Sequence, residues 1–180
     1  VSVTPTFAHK FDDKWSAAIG AEINYVRLTM EKNTAYMNGM GVGPTHTKGE
    51  SYALGWNAAA NYAFDDKNEI GVVYRSRIKH SMEADFNGYG LPIGSNYASI
   101  DVSGDAYGEV TLPESWHIGY SHKFNDRTRV ELNAVRTGWS TYDSLDITLS
   151  GVGGGLDGLH SNPKNWEDGW RYAIGVEHKL

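Results

Sequence analysis

The stretch Trp15-Ser16-Ala17-Ala18-Ile19-Gly20-Ala21-Glu22-Ile23-Asn24-Tyr25 alternates without a break. Trp15, Ala17, Ile19, Ala21, Ile23 and Tyr25 fall on one face; Ser16, Ala18, Gly20, Glu22 and Asn24 fall on the other. Side chains switch sides at every residue of a strand, whereas a helix repeats every three or four, so this stretch reads as a strand with one apolar face. The same period returns along the chain. Tyr52, Leu54, Trp56, Ala58, Ala60, Tyr62 and Phe64 oppose Ala53, Gly55, Asn57, Ala59, Asn61 and Ala63. Ile70, Val72, Tyr74 and Ile78 oppose Glu69, Arg75, Arg77 and Lys79. Val110, Leu112, Trp116, Ile118, Tyr120 and Phe124 oppose Thr111, Ser115, His117, Ser121 and Lys123, and Trp170, Tyr172, Ile174 and Val176 oppose Arg171, Gly175, Glu177 and Lys179. The fold class is all-β, with seven strands expected at about 1–11, 14–30, 51–64, 69–83, 108–124, 128–149 and 169–180.

Two kinds of connection take turns between these strands. Asp12-Asp13-Lys14, Asp65-Asp66-Lys67-Asn68 and Asn125-Asp126-Arg127 are short polar turns of hairpin length. Residues 31–50, 84–107 and 150–168 read as long, Gly-rich, irregular loops. A barrel in a bacterial outer membrane has tight turns on its periplasmic side and long loops outside, whereas a soluble up-and-down barrel has no such asymmetry. Aromatic residues also mark the ends of the apolar faces. Trp15, Phe64 and Phe124 lie by the short turns; Tyr25, Tyr52 and Trp116 lie toward the loops. Tyr and Trp favour the membrane interface because an apolar ring carries a polar tip.

Composition is compatible with that reading and excludes others. The 180 residues carry 22 acids against 16 bases, for a net charge of −6. A nucleic-acid module needs a basic face, and none is present. Mean hydropathy is −0.47, yet a membrane barrel averages a lipid face with a polar lumen face and keeps this value low. Six Trp, 11 Tyr and 5 Phe among 21% charged residues argue against disorder. Cys is absent, which removes disulfide frameworks and thiolate metal sites. The seven His are scattered, and His117 and His122 fall on opposite faces of one strand, so the sequence calls for no metal and no cofactor. The chain opens at Val1 without Met and reads as a mature product or a fragment.

The polar faces carry Glu22, Arg75, Arg77, Lys79, Glu131, Asn133, Arg171, Glu177 and Lys179, all expected to point inward. Such charges would be costly in a narrow dry barrel and are accommodated by a polar lumen. Glu22, Arg75, Arg77, Lys79 and Arg171 are therefore expected to form an inward charge network. Seven strands cannot close with every neighbour antiparallel, and open edges cannot face lipid. The chain is expected to be one partial barrel domain, 1–180.

Six short motifs, in order, resemble one family. Tyr52-Ala-Leu-Gly-Trp-Asn-Ala-Ala-Ala-Asn-Tyr62 resembles a Gly-Trp-Asn-Ala-Gly strand, and Val73-Tyr74-Arg75-Ser76-Arg77-Ile78-Lys79 a Tyr-Arg-Ser-x-Val-Lys strand. Gly90-Leu91-Pro92-Ile93 falls in the loop that follows, and Thr111-Leu112-Pro113-Glu114-Ser115 resembles the Leu-Pro-Glu start of the next strand. Thr137-Gly138-Trp139-Ser140 resembles Thr-x-Trp-Ser, and Trp166-Glu167-Asp168-Gly169-Trp170-Arg171 resembles Trp-x-Asp-x-Trp-Arg. This order resembles the FadL family of outer-membrane transporters for long-chain fatty acids and other hydrophobic compounds. The resemblance implies a transmembrane antiparallel up-and-down β-barrel of fourteen strands, of which this chain holds about seven. It also implies an N-terminal hatch and closing C-terminal strands outside this sequence, a monomeric barrel, and surroundings of outer-membrane lipid and lipopolysaccharide.

The family's mechanism is passive. An amphiphile lands in an apolar groove between extracellular loops, moves to a tighter inner site, and leaves through the wall. Loops 31–50 and 84–107 match the groove-forming positions, so Tyr36, Met37, Met40, Val42, Phe86, Tyr89, Leu91 and Ile93 are candidate ligand contacts. Packing of the loops against each other is the alternative. Lys32 stands where the family can carry a basic ligand contact, or it is a solvated strand-end charge. Trp139 lines the path or fills the interior. Two other classes stay open: a structural or adhesive barrel with partner-binding loops, and a barrel hydrolase built on Ser115 and His117, which share a strand face but lack a recognisable third member. The expectation is a transporter and not an enzyme.

Overall fold

The computed structural model describes residues 1–35, 42–93, 98–153 and 155–180. Seven antiparallel strands run in chain order, each beside the next. They are β1 (Ser2–Val3 and Thr6–Lys10), β2 (Trp15–Ala35), β3 (Val42–Ala63), β4 (Asn68–Arg75 and Ile78–Ile93), β5 (Ala98–Leu112 and Ser115–Asn125), β6 (Thr128–Thr137 and Ser144–Ser150) and β7 (Gly158–Pro163 and Gly169–His178). Among the described residues the sheet is open, with β1 and β7 at its edges.

The short turns stand where the sequence places them. The long loops do not: most of 31–50 and 84–107 is strand, so β2 and β3 pair continuously from Trp15↔Tyr62 to Ala35↔Val42. Part of 150–168 is strand too, at Gly158–Pro163. Gly and Asn weaken strand propensity, but a neighbour already in register supplies the ladder for these residues. Tyr36, Met37 and Met40 lie outside the described residues.

The outer face changes character along each strand. Between the aromatic pairs Trp15–Tyr62 (4.5 Å) and Tyr25–Tyr52 (4.8 Å) it is apolar and exposed, with Ile19, Ile23, Leu54 and Trp56. The ten steps from Trp15 to Tyr25, at about 3.3 Å each and a tilt near 45°, rise about 23 Å, the height of a lipid-facing band. Beyond Tyr25 and Tyr52 the outer face becomes polar, with Arg27 and Glu50 as an ion pair, and the inner face becomes apolar. Ile78, Met82, Phe86, Ala106 and Leu149 are buried there.

In β4 this inversion needs a break. Asn57 opposes Arg75 and Glu50 opposes Glu83, so eight steps along β4 match seven along β3. The extra residue is a bulge at Ser76–Arg77, and it exchanges the two faces. Ser76 Oγ accepts the Trp56 N–H at 2.9 Å, standing in for a ladder carbonyl. Ile78 is 3% exposed and points inside, while Lys79 points outward to Glu109 at 2.9 Å. The alternation carried across residues 69–79 therefore assigned both to the wrong face. β5 breaks at the same level at Pro113–Glu114, where proline supplies no N–H. β6 breaks at 138–143, where six steps of β5 match nine of β6 and Trp139–Thr141 winds into a 3-10 turn.

Arg77, Glu114, Arg136 and Asp168 tie these breaks together. Arg77 and Arg136 both reach Glu114, Arg136 also reaches Asp168, and the Ser140 N–H donates to Asp168 at 3.1 Å. One residue from each of four consecutive strand segments thus meets at the level where the wall changes polarity.

Candidate functional site

The inverted upper part of the sheet curls around a cavity. Residues of β2 and β7, which are not neighbours in the sheet, line the same space of about 600 Å³. Its walls are Thr29, Met30, Glu31 and Lys32 of β2, Thr45 and Thr47 of β3, Phe86 of β4, Ile147 and Leu149 of β6, and Leu156 and His160 before and in β7, with Glu31 turned to His46 at 3.5 Å. Phe86, Ala106, Leu149 and Val152 pack as a buried cluster behind this lining. The loop that brings Leu156 over the cavity needs left-handed backbone at Gly151, Gly153 and Gly155. Asp157 ties that loop down by accepting the Val152 and Gly153 N–H groups at 2.8 and 3.0 Å. Lys32 is the one basic side chain in the lining besides His160, whose Nε2 meets the Leu156 carbonyl at 2.8 Å.

A second cavity of about 560 Å³ lies at the level of the breaks and the membrane band. Glu22, Arg75, Ser115, His117, Trp139 and Arg171 line it, with Leu112, Pro113 and Val135. This is a polar lumen, and it holds charges that lipid could not.

His80, 1% exposed, stands in the interior wall just above the break. Its Nδ1 meets Ser51 Oγ at 3.2 Å, its Nε2 meets Asn24 Oδ1 at 3.0 Å, and Ser51 Oγ donates to the Ser81 carbonyl at 2.9 Å.

The structure separates the expected residues. Lys32 and Phe86 share the upper cavity. Leu91 is buried against Gly43 and Gly88, where a side chain on either glycine would collide with it. Tyr89 lies nearly half exposed, edge-on to His46 at 5.6 Å. Ile93 ends its strand, and its side chain lies outside the described residues, as does that of Val42. Glu22, Arg75, Arg171 and Trp139 share the lumen cavity. Arg77 and Lys79 leave that network: Arg77 joins Glu114 at the break and Lys79 joins Glu109 on the outer face. The reason is the bulge between Arg75 and Ile78.

Sequence reasoning missed Met30, Ile147, Leu149, Leu156 and His160. The signal was present, since Leu145, Ile147 and Leu149 alternate with Asp146 and Thr148. Ser115 and His117 do meet, at 3.2 Å. The cationic neighbours in that cavity are Arg75 and Arg171, and Glu22 is engaged by Ser2 at 3.0 Å. A nucleophile–base pair needs a carboxylate to orient the imidazole, and no hydrogen bond among the described residues supplies one to His117.

Comparison with known proteins agrees with this architecture. The family described as outer membrane protein transport protein (OMPP1/FadL/TodX) matches residues 1–180. The long-chain fatty acid transport protein of Escherichia coli K12 is 27% identical over 141 residues, covering 74% of this chain and 30% of that protein. The 47 kDa outer membrane protein of Pasteurella multocida is 25% identical over 142 residues, covering 74% of this chain and 32% of that one. The chain thus spans about a third of the length of these curated relatives. Among solved structures, a Pseudomonas aeruginosa FadL homologue superposes with a TM-score of 0.80 at 19% identity, covering 99% of this chain and 46% of that one. The Pseudomonas putida toluene transporter TodX gives 0.75 at 17% identity, covering 99% and 50%. The chain belongs to the OMPP1/FadL/TodX family, and its strands are wall of an antiparallel β-barrel in the bacterial outer membrane.

Proposed function

We propose that this protein carries hydrophobic small molecules passively across the outer membrane, with long-chain fatty acids or related amphiphiles as solutes. The observation that carries the reading is the inverted upper sheet: an apolar cavity of about 600 Å³ holding Lys32 at its wall, above a polar lumen. Burying an acyl chain supplies roughly 0.8 kcal/mol per methylene. An ammonium among apolar side chains orients a carboxylate by a charge-assisted hydrogen bond. Phe86, Met30 and Leu149 take the chain, Lys32 takes the head, and Trp139 with Arg75 and Arg171 flanks the route below. Tyr89, half exposed beside His46, stands at the mouth in this reading. The chain contributes about half of a fourteen-stranded wall, and the barrel works as a monomer among lipid and lipopolysaccharide.

Uptake of labelled oleate and labelled toluene by cells with and without the full-length gene tests the proposal. Oleate uptake should depend on the gene, and Lys32→Gln should slow oleate more than toluene. Equal uptake of both solutes with and without the gene would instead favour a structural or adhesive barrel.

A further inference from the structure

The three short turns are copies of one another. Phe11-Asp12-Asp13-Lys14, Phe64-Asp65-Asp66-Lys67 and Phe124-Asn125-Asp126-Arg127 share one order: Phe, Asp or Asn, Asp, base. In each turn the first of the two oxygen-bearing residues closes the hairpin by accepting two backbone N–H groups. Asp12 accepts from Lys14 and Trp15 at 2.8 and 2.7 Å, Asp65 from Lys67 and Asn68 at 2.8 Å each, and Asn125 from Arg127 and Thr128 at 2.9 Å each. In each, the Phe ring also meets, edge-on, the ring two residues earlier. The centroids lie 4.8 Å apart for His9–Phe11, 4.9 Å for Tyr62–Phe64 and 4.5 Å for His122–Phe124.

The turn itself does not use the side chains of the next two residues. Asp13-Lys14, Asp66-Lys67 and Asp126-Arg127 are exposed in all three copies, directly beyond an exposed Phe at the membrane's edge. Only Asp13 has an ion-pair partner among the described residues, Lys10 at 3.3 Å, and both of those side chains are largely in water. Hairpin closure requires one accepting side chain and no charge pair. Three adjacent carboxylate–cation pairs at the periplasmic edge of the lipid-facing band are therefore unexplained by folding. A phospholipid headgroup bearing both a phosphate and an ammonium presents the complementary pair. A purely anionic headgroup would satisfy the base and be repelled by the carboxylate.

We propose that each turn seats the headgroup of a zwitterionic aminophospholipid of the inner leaflet. Lys14, Lys67 or Arg127 takes the phosphate, Asp13, Asp66 or Asp126 takes the ammonium, and the Phe covers the top of the acyl region. The inference rests on the membrane placement and is independent of the solute carried. Native mass spectrometry of the full-length protein from micelles doped with phosphatidylethanolamine, phosphatidylglycerol or inorganic phosphate tests it. Phosphatidylethanolamine should be retained over phosphatidylglycerol by about threefold per turn, the size of one exposed ion pair. Asp13→Asn with Asp66→Asn and Asp126→Asn should abolish that preference, and Lys14→Gln with Lys67→Gln and Arg127→Gln should lower retention of both lipids. If a triple variant fails to insert, the single-turn pair Asp66→Asn and Lys67→Gln gives the same readout at one site. Equal retention of the two lipids by the wild type, a preference that survives the Asp→Asn changes, or displacement of lipid by inorganic phosphate would overturn the assignment.

Discussion

Ile19→Arg and Ser81→Arg place the same charge on the same outer surface of the wall, on opposite sides of the level where its polarity inverts. Ile19 is 61% exposed, pairs with Phe7 and Ala58, and lies four residues above Trp15 and six below Tyr25. At about 3.3 Å per residue and a tilt near 45°, that places it within a few ångströms of the middle of the lipid band. Arginine on the lipid face costs about 2–4 kcal/mol at the midplane. Ser81 lies beyond the Ser76–Arg77 break, exposed beside Glu109, whose carboxylate its hydroxyl reaches at 3.2 Å. Arginine there faces water and a carboxylate, so the change should stay within about 0.5 kcal/mol. Urea titration of the full-length protein in phospholipid vesicles, followed by Trp fluorescence, measures both. Equal costs at the two positions, or a larger cost at Ser81, would refute both the placement of the membrane band and the inversion above it.

Ile78→Ala should cost about 2–5 kcal/mol by emptying a packed interior site, whereas Lys79→Ala, in a mostly exposed pair with Glu109, should cost at most about 1 kcal/mol; the same titration ranks them. Gly104→Ala would set a Cβ 2.6 Å from the Ser150 carbonyl oxygen and 2.8 Å from the Val152 nitrogen, and overpacking against backbone should cost about 1–3 kcal/mol, read as a lower urea midpoint. Backbone hydrogen bonds hold the Asp12 and Asp65 carboxyls below the usual range, so these two turns are secure above 3.8 and loosen as pH falls through the folded values. Asn125 has no proton to gain, and the amides of Arg127 and Thr128 should stay protected at acid pH where those of Lys14 and Lys67 open, as NMR exchange would show.

The lipid-facing band was legible residue by residue. Trp15 to Tyr25 and Tyr52 to Phe64 have no second protein layer over their outer side among the described residues, so the side chains there had to suit lipid, and strict alternation resulted. The upper strands were not legible as strands. There the apolar residues turn inward and are diluted by Gly43, Gly49, Gly88 and Gly104, which keep space for Leu91, Ala84 and Val152. The result reads locally as loop. Lys32 and Phe86 were found through their positions, Leu156 and His160 were hidden because 150–168 looked irregular, and Ile147 and Leu149 lay on an expected strand whose inward side was not assigned to a cavity.

The sequence by itself determined the all-β class and the seven-strand meander, because both follow from a period of two and from turn chemistry that acts within a few residues, and six motifs in order carried the resemblance to the family. Only the tertiary structure decided which way Ile78 and Lys79 point, since a one-residue bulge reverses every side chain beyond it and its presence depends on the register with β3 and β5. It also decided that Met30 and Lys32 face Leu156 and His160. A cavity wall is made by the curl of the whole sheet, and no window of sequence holds residues so far apart along the chain.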